Sequence, residues 1–129
     1  SAQKADEILA SFDMVERRSI LARNLSPAEQ RNLEIGIALA GEPKLLLLDE
    51  PAAGLSPEES TRLVETIQSI RQEGITIVVV EHNMKVIMDL CTRIVVIDYG
   101  RKIAEGSPQE IAHNDEVISI YLGQGEEHA

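Results

Sequence analysis

Aromatic residues are nearly missing from this chain. It has no tryptophan, one phenylalanine (Phe12) and two tyrosines (Tyr99 and Tyr121), so leucine, isoleucine and valine must fill any core. Basic residues are scarce as well: 12 Lys and Arg against 22 Asp and Glu leave a net charge of −10. Such a balance offers no basic patch for a nucleic-acid or anionic-membrane surface, and no nucleic-acid partner is expected. A single cysteine, Cys91, excludes an intrachain disulfide. No apolar run reaches the roughly 18 residues of a membrane-spanning helix; the densest stretch, residues 75–80, has the length of a strand. There is no internal repeat, and 129 residues amount to one domain or a piece of one.

What the chain does have is a sharp boundary between apolar and acidic residues. In Lys44-Leu45-Leu46-Leu47-Leu48-Asp49-Glu50-Pro51, four leucines end in two adjacent carboxylates and a proline. Gly41, Pro43 and Pro51 keep a helix out on both sides. A short apolar run between such breakers predicts a strand buried on both faces. Asp49 and Glu50 then stand at its C-terminal end, the edge where open α/β sheets bind ligands. Neighbouring strand residues point to opposite faces, so the two acids are free to do different work. Taken alone, two acids at a strand end read first as solvated surface.

The surrounding pattern alternates helices and strands. Ala5, Ile8, Leu9 and Phe12 predict an amphipathic helix over 4–13, followed by a helical turn and loop over 15–25. Ser26-Pro27-Ala28-Glu29 is a capping box with proline at the first helical position, and Leu33, Ile37 and Ala40 continue one face until Gly41. The same device recurs at Ser56-Pro57-Glu58-Glu59, opening a helix with Leu63, Val64, Ile67 and Ile70 on one face, and at Ser107-Pro108-Gln109-Glu110. Residues 75–80 are a β-branched second strand leading to Glu81-His82-Asn83 and a helix through Met84, Val86, Ile87 and Leu90. Residues 94–97 predict a third strand. Asp98-Tyr99-Gly100 is a turn from which 101–105 returns as a fourth. A short helix covers 117–122, and residues 123–129 read as a frayed end. The expectation is an α/β fold with a mainly parallel sheet.

With these elements placed, the chain resembles the ATP-binding cassette (ABC) ATPases. The leucine run with Asp49 and Glu50 resembles their Walker B motif. Leu25-Ser26-Pro27-Ala28-Glu29-Gln30-Arg31 stands about twenty residues earlier, where the family's signature motif lies. Ala53-Gly54-Leu55-Ser56 stands in the place of the D-loop, and His82 in that of the switch histidine. Each motif is weak alone, but their order is specific. The resemblance implies an α/β fold that is the C-terminal half of a P-loop NTPase (RecA-like) ABC ATPase core with part of the helical signature subdomain. Residues 1–40 would be the end of that subdomain and 41–129 the C-terminal part of the nucleotide-binding core.

It also implies roles. Asp49 would help hold Mg²⁺ through water, Glu50 would act on the attacking water, and His82 would sense the γ-phosphate. Ser26, Ala28 and Glu29 would meet ATP bound to a partner subunit. Ala53, Gly54, Leu55 and Ser56 would form the D-loop. The cofactors would be ATP and Mg²⁺. The partners would be a second ABC ATPase subunit and membrane permease subunits, placing the protein at the cytoplasmic face of the cell membrane. Leu33-Glu34-Ile35, Glu50-Pro51-Ala52-Ala53-Gly54, Glu81-His82-Asn83-Met84 and Tyr121-Leu122-Gly123 are similar to ATP-binding subunits of branched-chain amino acid importers. Lipopolysaccharide-export and urea-import ATPases share much of this wording.

The chain also departs from the family. A Walker A loop needs two glycines followed by lysine and serine or threonine to cradle phosphates, and none of the eight glycines opens one. The expectation is therefore a piece of a longer ATPase, inactive by itself. The alternative is a non-catalytic regulatory or interaction module that retains the half-fold. The signature glycines are replaced by Pro27 and Ala28, an arginine of the following helix by Ile37, and the D-loop aspartate by Ser56. Ser26 and Ser56 each carry a second, purely structural reading as helix caps.

Overall fold

The structure, a computed structural model, describes residues 1–128. It contains two compact units, Ser1–Val86 and Ile87–Ala129. In the first, α1 (Ala2–Ser11) is followed by short 3-10 turns at Val15–Arg17 and Ala22–Asn24, α2 (Pro27–Ala40), β1 (Leu45–Asp49), α3 (Pro57–Gln72) and β2 (Thr76–Val80). The helix α4 (Met84–Leu90) spans the division in sequence.

Helix α1 packs against α2 at Gly36. A Cβ there would lie 3.1 Å from Ile8 Cγ2 and 3.5 Å from Phe12 Cε2, so the missing side chain sets how closely the helices approach. This moves the expected buried face of α2. Ile35 and Gly36 are buried while Ile37 is 66% exposed and Ala40 is also exposed. The apolar periodicity through Leu33, Ile37 and Ala40 picks out the larger side chains and overlooks a glycine that serves as a docking point.

Strands β1 and β2 pair in parallel, Leu45 opposite Thr76 through Asp49 opposite Val80, with α3 as the crossover. The expected face of α3 is the buried one: Leu63, Val64, Ile67 and Ile70. The strands themselves correct an expectation. Leu46 is buried, but Leu47 is 68% exposed, and Leu45, Val78 and Val80 are exposed with it. The leucine run has the composition of a strand covered on both faces, and the described residues cover one.

The second unit carries an antiparallel hairpin of β3 (Ile94–Asp98) and β4 (Arg101–Gly106). Tyr99 and Gly100 turn it with φ of 47° and 74°, the left-handed pair that a two-residue hairpin turn requires. The register shifts between Val96 and Ile97, whose partners are Ala104 and Lys102, leaving Ile103 bulged. Helices α5 (Pro108–Ala112) and α6 (Asp115–His128) follow, capped by Ser107 and Asn114 respectively. Helix α6 is longer than the short helix read from the sequence. Most of the expected frayed end is helical backbone, and Ala129 lies outside the described residues. Among the described residues the strands form two two-stranded sheets, one parallel and one antiparallel, where the pattern points to a mainly parallel sheet.

These contacts predict two stability changes. Ile67 has no solvent exposure, so Ile67→Ala should cost about 2–5 kcal/mol. Gly36→Val should cost about 1–3 kcal/mol by overpacking against Ile8 and Phe12, although valine has the better helix propensity. Urea midpoints measure both, and an unchanged midpoint for Gly36→Val contradicts the α1–α2 contact.

Candidate functional site

The site grows from the end of β1. Asp49 is the last strand residue, exposed and paired with Val80. Glu50 continues the ladder by one bond, its N–H donating to Val80 O at 2.7 Å. It then breaks from the strand with φ of 46°. Pro51 and Ala52 are buried, Ala53 N–H closes a turn onto Glu50 O at 3.1 Å, and Gly54 has φ of 77°. Leu55 N–H returns to Ala52 O, and Ser56 starts α3. The turn is held from outside as well. The Arg31 guanidinium of α2 donates to Glu50 O and Ala53 O at 3.3 and 3.4 Å, and Glu81 accepts the Ala52 N–H at 3.2 Å.

This geometry brings Glu50 to His82. The imidazole Nδ1 lies 3.0 Å from Glu50 Oε1, although the two residues are 32 positions apart. Their side chains are half and three-quarters exposed, at 50% and 77%. The pair therefore faces solvent at the C-terminal end of the parallel strands, within reach of an incoming ligand. A carboxylate held by an imidazole can orient a water molecule and take its proton.

The second group lies at the start of α2. The Ser26 hydroxyl accepts the Glu29 N–H at 3.2 Å, and Glu29 accepts the Ser26 N–H at 3.1 Å. Arg17 meets the other Glu29 oxygen at 2.8 Å. The Ser26 N–H and hydroxyl, with Arg17, hold the Glu29 carboxyl below its usual range. Ser56 and Glu59 repeat the arrangement at α3, and Glu59 is lowered by the Ser56 N–H and hydroxyl, with Arg62 contributing. Ser26, Ala28 and Glu29 line an open cleft of about 460 Å³ together with Leu55, Glu59 and Arg62. Asp49, Glu50 and His82 do not line it. The expected site residues thus fall in two places: an acid–imidazole pair at the strand ends, and the α2 start facing Leu55 and α3.

The chain is similar to known proteins along most of its length. The profile of the ABC transporter family matches residues 1–53, and that of the branched-chain amino acid ATP-binding cassette transporter matches residues 101–127. The high-affinity branched-chain amino acid transport ATP-binding protein LivG of Salmonella typhimurium is 41% identical over 117 residues, 90% of this chain and 46% of LivG. The lipopolysaccharide export system ATP-binding protein LptB of Haemophilus influenzae is 35% identical over 122 residues, 95% of this chain and 51% of LptB. Among solved structures, the ATP-binding cassette MJ1267 of an ABC transporter superposes with a TM-score of 0.87 at 27% identity, covering 93% of this chain and 49% of that one. The chain belongs to the ABC transporter ATP-binding family. It spans about half the length of the curated relatives it matches.

Family membership implies Mg²⁺ and ATP, and the residues of this ABC chain can be tested for fit. Asp49 and Glu50 supply hard oxygen donors at a strand end. Among the described residues no group of three or more His, Cys, Asp or Glu could hold a metal by itself. Mg²⁺ characteristically takes one or two carboxylates and fills its octahedron with phosphates and water, so the sparse donor set fits. The phosphate-cradling glycine loop has no counterpart in the sequence. The ABC chain therefore fits the metal and water side of a nucleotide, and not its phosphate cradle.

Two contributors to the site were not singled out from sequence. In the sequence Arg31 stands only as the last residue of the signature-like stretch, and Glu81 only as the residue before His82. Glu81 did carry a signal: a carboxylate directly follows a β-branched strand, where a turn residue would serve.

The depressed carboxyls give a pH prediction. A folded pKa below the ordinary 4.5 means that Glu29 and Glu59 stabilise the fold fully above that value, and that this stability is lost as pH falls through their lower folded values. Glu29→Gln with Glu59→Gln should flatten the decline of the urea midpoint below pH 4.5. An equally steep decline contradicts the two capping arrangements.

Proposed function

We propose that this chain is part of the ATP-hydrolysing subunit of an ABC transporter, of the branched-chain amino acid importer type. The observation that carries the reading is the 3.0 Å contact between Glu50 and His82 beside Asp49, at the C-terminal end of paired parallel strands. The family match supports the reaction class, and the importer type is supported by the match at 101–127 and the likeness to LivG. In this reading residues 1–40 are the end of the helical signature subdomain, and 41–129 belong to the nucleotide-binding core.

Asp49 would hold Mg²⁺ through water, and the metal would neutralise charge on the phosphates of ATP, whose γ-phosphoryl group is attacked by water with ADP leaving. Glu50 orients that water and accepts its proton, while His82 fixes the Glu50 carboxylate and stands ready to meet the γ-phosphate. Hydrolysis of this kind rests mainly on positioning and charge stabilisation. Ser26, Ala28 and Glu29 serve the nucleotide of a second ABC subunit. Their separation from Glu50 and His82 suits a site completed by a partner. Ala53, Gly54, Leu55 and Ser56 form the D-loop between these places, and Ser56 acts there as the α3 cap. Permease subunits would hold the paired ATPases at the inner face of the membrane. The competing reading, a non-catalytic module, is favoured by the missing phosphate loop and disfavoured by the assembled Glu50–His82 pair.

Two measurements test the proposal. In the complete ATPase polypeptide, Glu50→Gln should lower kcat by about 10²–10⁴-fold while ATP still binds; a variant with near-parental turnover contradicts the assignment. The 129-residue chain alone should show no measurable Mg²⁺-ATP affinity in calorimetry, because it carries no phosphate cradle. Submillimolar binding would contradict the division of labour argued here.

A further inference from the structure

Glu81 is the first residue after β2, and its carboxylate reaches in two directions. Oε1 accepts the N–H of His82 at 3.1 Å and of Asn83 at 3.4 Å. Oε2 accepts the N–H of Ala52, 29 positions away, at 3.2 Å. The first arm alone would be an ordinary local turn. The second links the loop after β2 to the turn after β1, and these are the segments that carry His82 and Glu50.

That link is needed. Ala52 is 7% exposed, so its N–H must find an acceptor inside the protein. Glu50 sits at φ of 46°, a conformation that disfavours a residue with a Cβ and persists only where its surroundings hold it. The Glu50–His82 contact cannot supply that hold. Both side chains are at least half exposed, and exposed pairs are weak because water competes and two side chains must be ordered. Hydrogen bonds to an ionised carboxylate are roughly twice as strong as neutral ones, and Glu81 makes them to backbone, which orders the loops rather than the side-chain tips.

We infer that Glu81 is a positioning residue: its carboxylate ties the turn carrying Glu50 to the loop carrying His82, and so keeps the two side chains in contact. The inference deepens the ATPase reading and, for its effect on turnover, rests on it.

The test uses the complete polypeptide without nucleotide, reading the ¹⁵N resonance of His82 Nδ1 by NMR. In the parent, Glu50→Gln should shift that resonance, because the imidazole loses its carboxylate partner. In a Glu81→Ala background the same substitution should produce less than about a third of that shift, in the manner of a double-mutant cycle. Glu81→Gln, which keeps one acceptor oxygen, should fall between them. An equal shift in all backgrounds overturns the inference. If Glu81→Ala does not fold, Glu81→Gln decides: a reduced shift supports the tie, and an undiminished one overturns it. In turnover, Glu81→Ala should lower kcat about tenfold with KM for ATP within about twofold; a raised KM with unchanged kcat overturns the positioning role. A parent polypeptide that hydrolyses no ATP would overturn the ATPase reading instead. The two failures are distinct because the imidazole measurement needs no nucleotide.

Discussion

Glu50 leaves β1 in a left-handed conformation immediately before a proline, and the first unit is arranged to hold it there. A non-glycine residue at φ of 46° costs roughly 1–2 kcal/mol, and the following Pro51 pushes its predecessor toward extended backbone instead. Three neighbours oppose that tendency. Val80 takes the Glu50 N–H, Arg31 approaches the Glu50 and Ala53 carbonyls, and Glu81 takes the Ala52 N–H. They come from β2, from α2 and from the loop after β2. The effect is to swing the Glu50 carboxylate out of the strand pleat and onto His82. Asp49, still in the strand, remains separate and exposed. Two adjacent acids thereby obtain two environments from one change of backbone direction.

The start of α2 shows a different compromise. The Ser26 hydroxyl closes a capping box with Glu29, whose other oxygen is engaged by Arg17. Pro27 suits the first helical position and has no N–H to give a phosphate. Ala28 keeps its N–H at the second position, in the first turn where helices leave donors without intrahelical partners. This favours a well-ordered helix end over close backbone approach to an anion. Arg31, one turn further along, couples that helix end to the Glu50 turn. The segment assigned to a partner's nucleotide is thus mechanically connected to the residue assigned to water.

Much of this was legible in the residues. Three Ser-Pro-x-Glu capping sequences marked three helix starts, because capping chemistry is local and repeats. Asp98-Tyr99-Gly100 gave the hairpin for the same reason. The strand-end position of Asp49 and Glu50 followed from the leucine run, and His82 from its place after the next strand. Long-range features were not legible. The docking role of Gly36 is invisible to hydrophobic periodicity, since a glycine contributes by lacking a side chain. The exposed face of Leu45 and Leu47 contradicts their composition, because composition records what a strand suits and not what covers it. Arg31 and Glu81 act on backbone groups 19 to 29 positions away, and no local pattern announces such pairs.

In the proposed function Glu50 and His82 act together on the water that attacks ATP. A crystal structure of the complete Glu50→Gln polypeptide with Mg²⁺ and ATP is the decisive measurement. Residue 50 and His82 are expected within hydrogen-bond distance of the γ-phosphate or of one shared water, with Asp49 reaching the metal through water. Nucleotide bound with both side chains turned to bulk solvent, or with Asp49 remote from the metal, would contradict it.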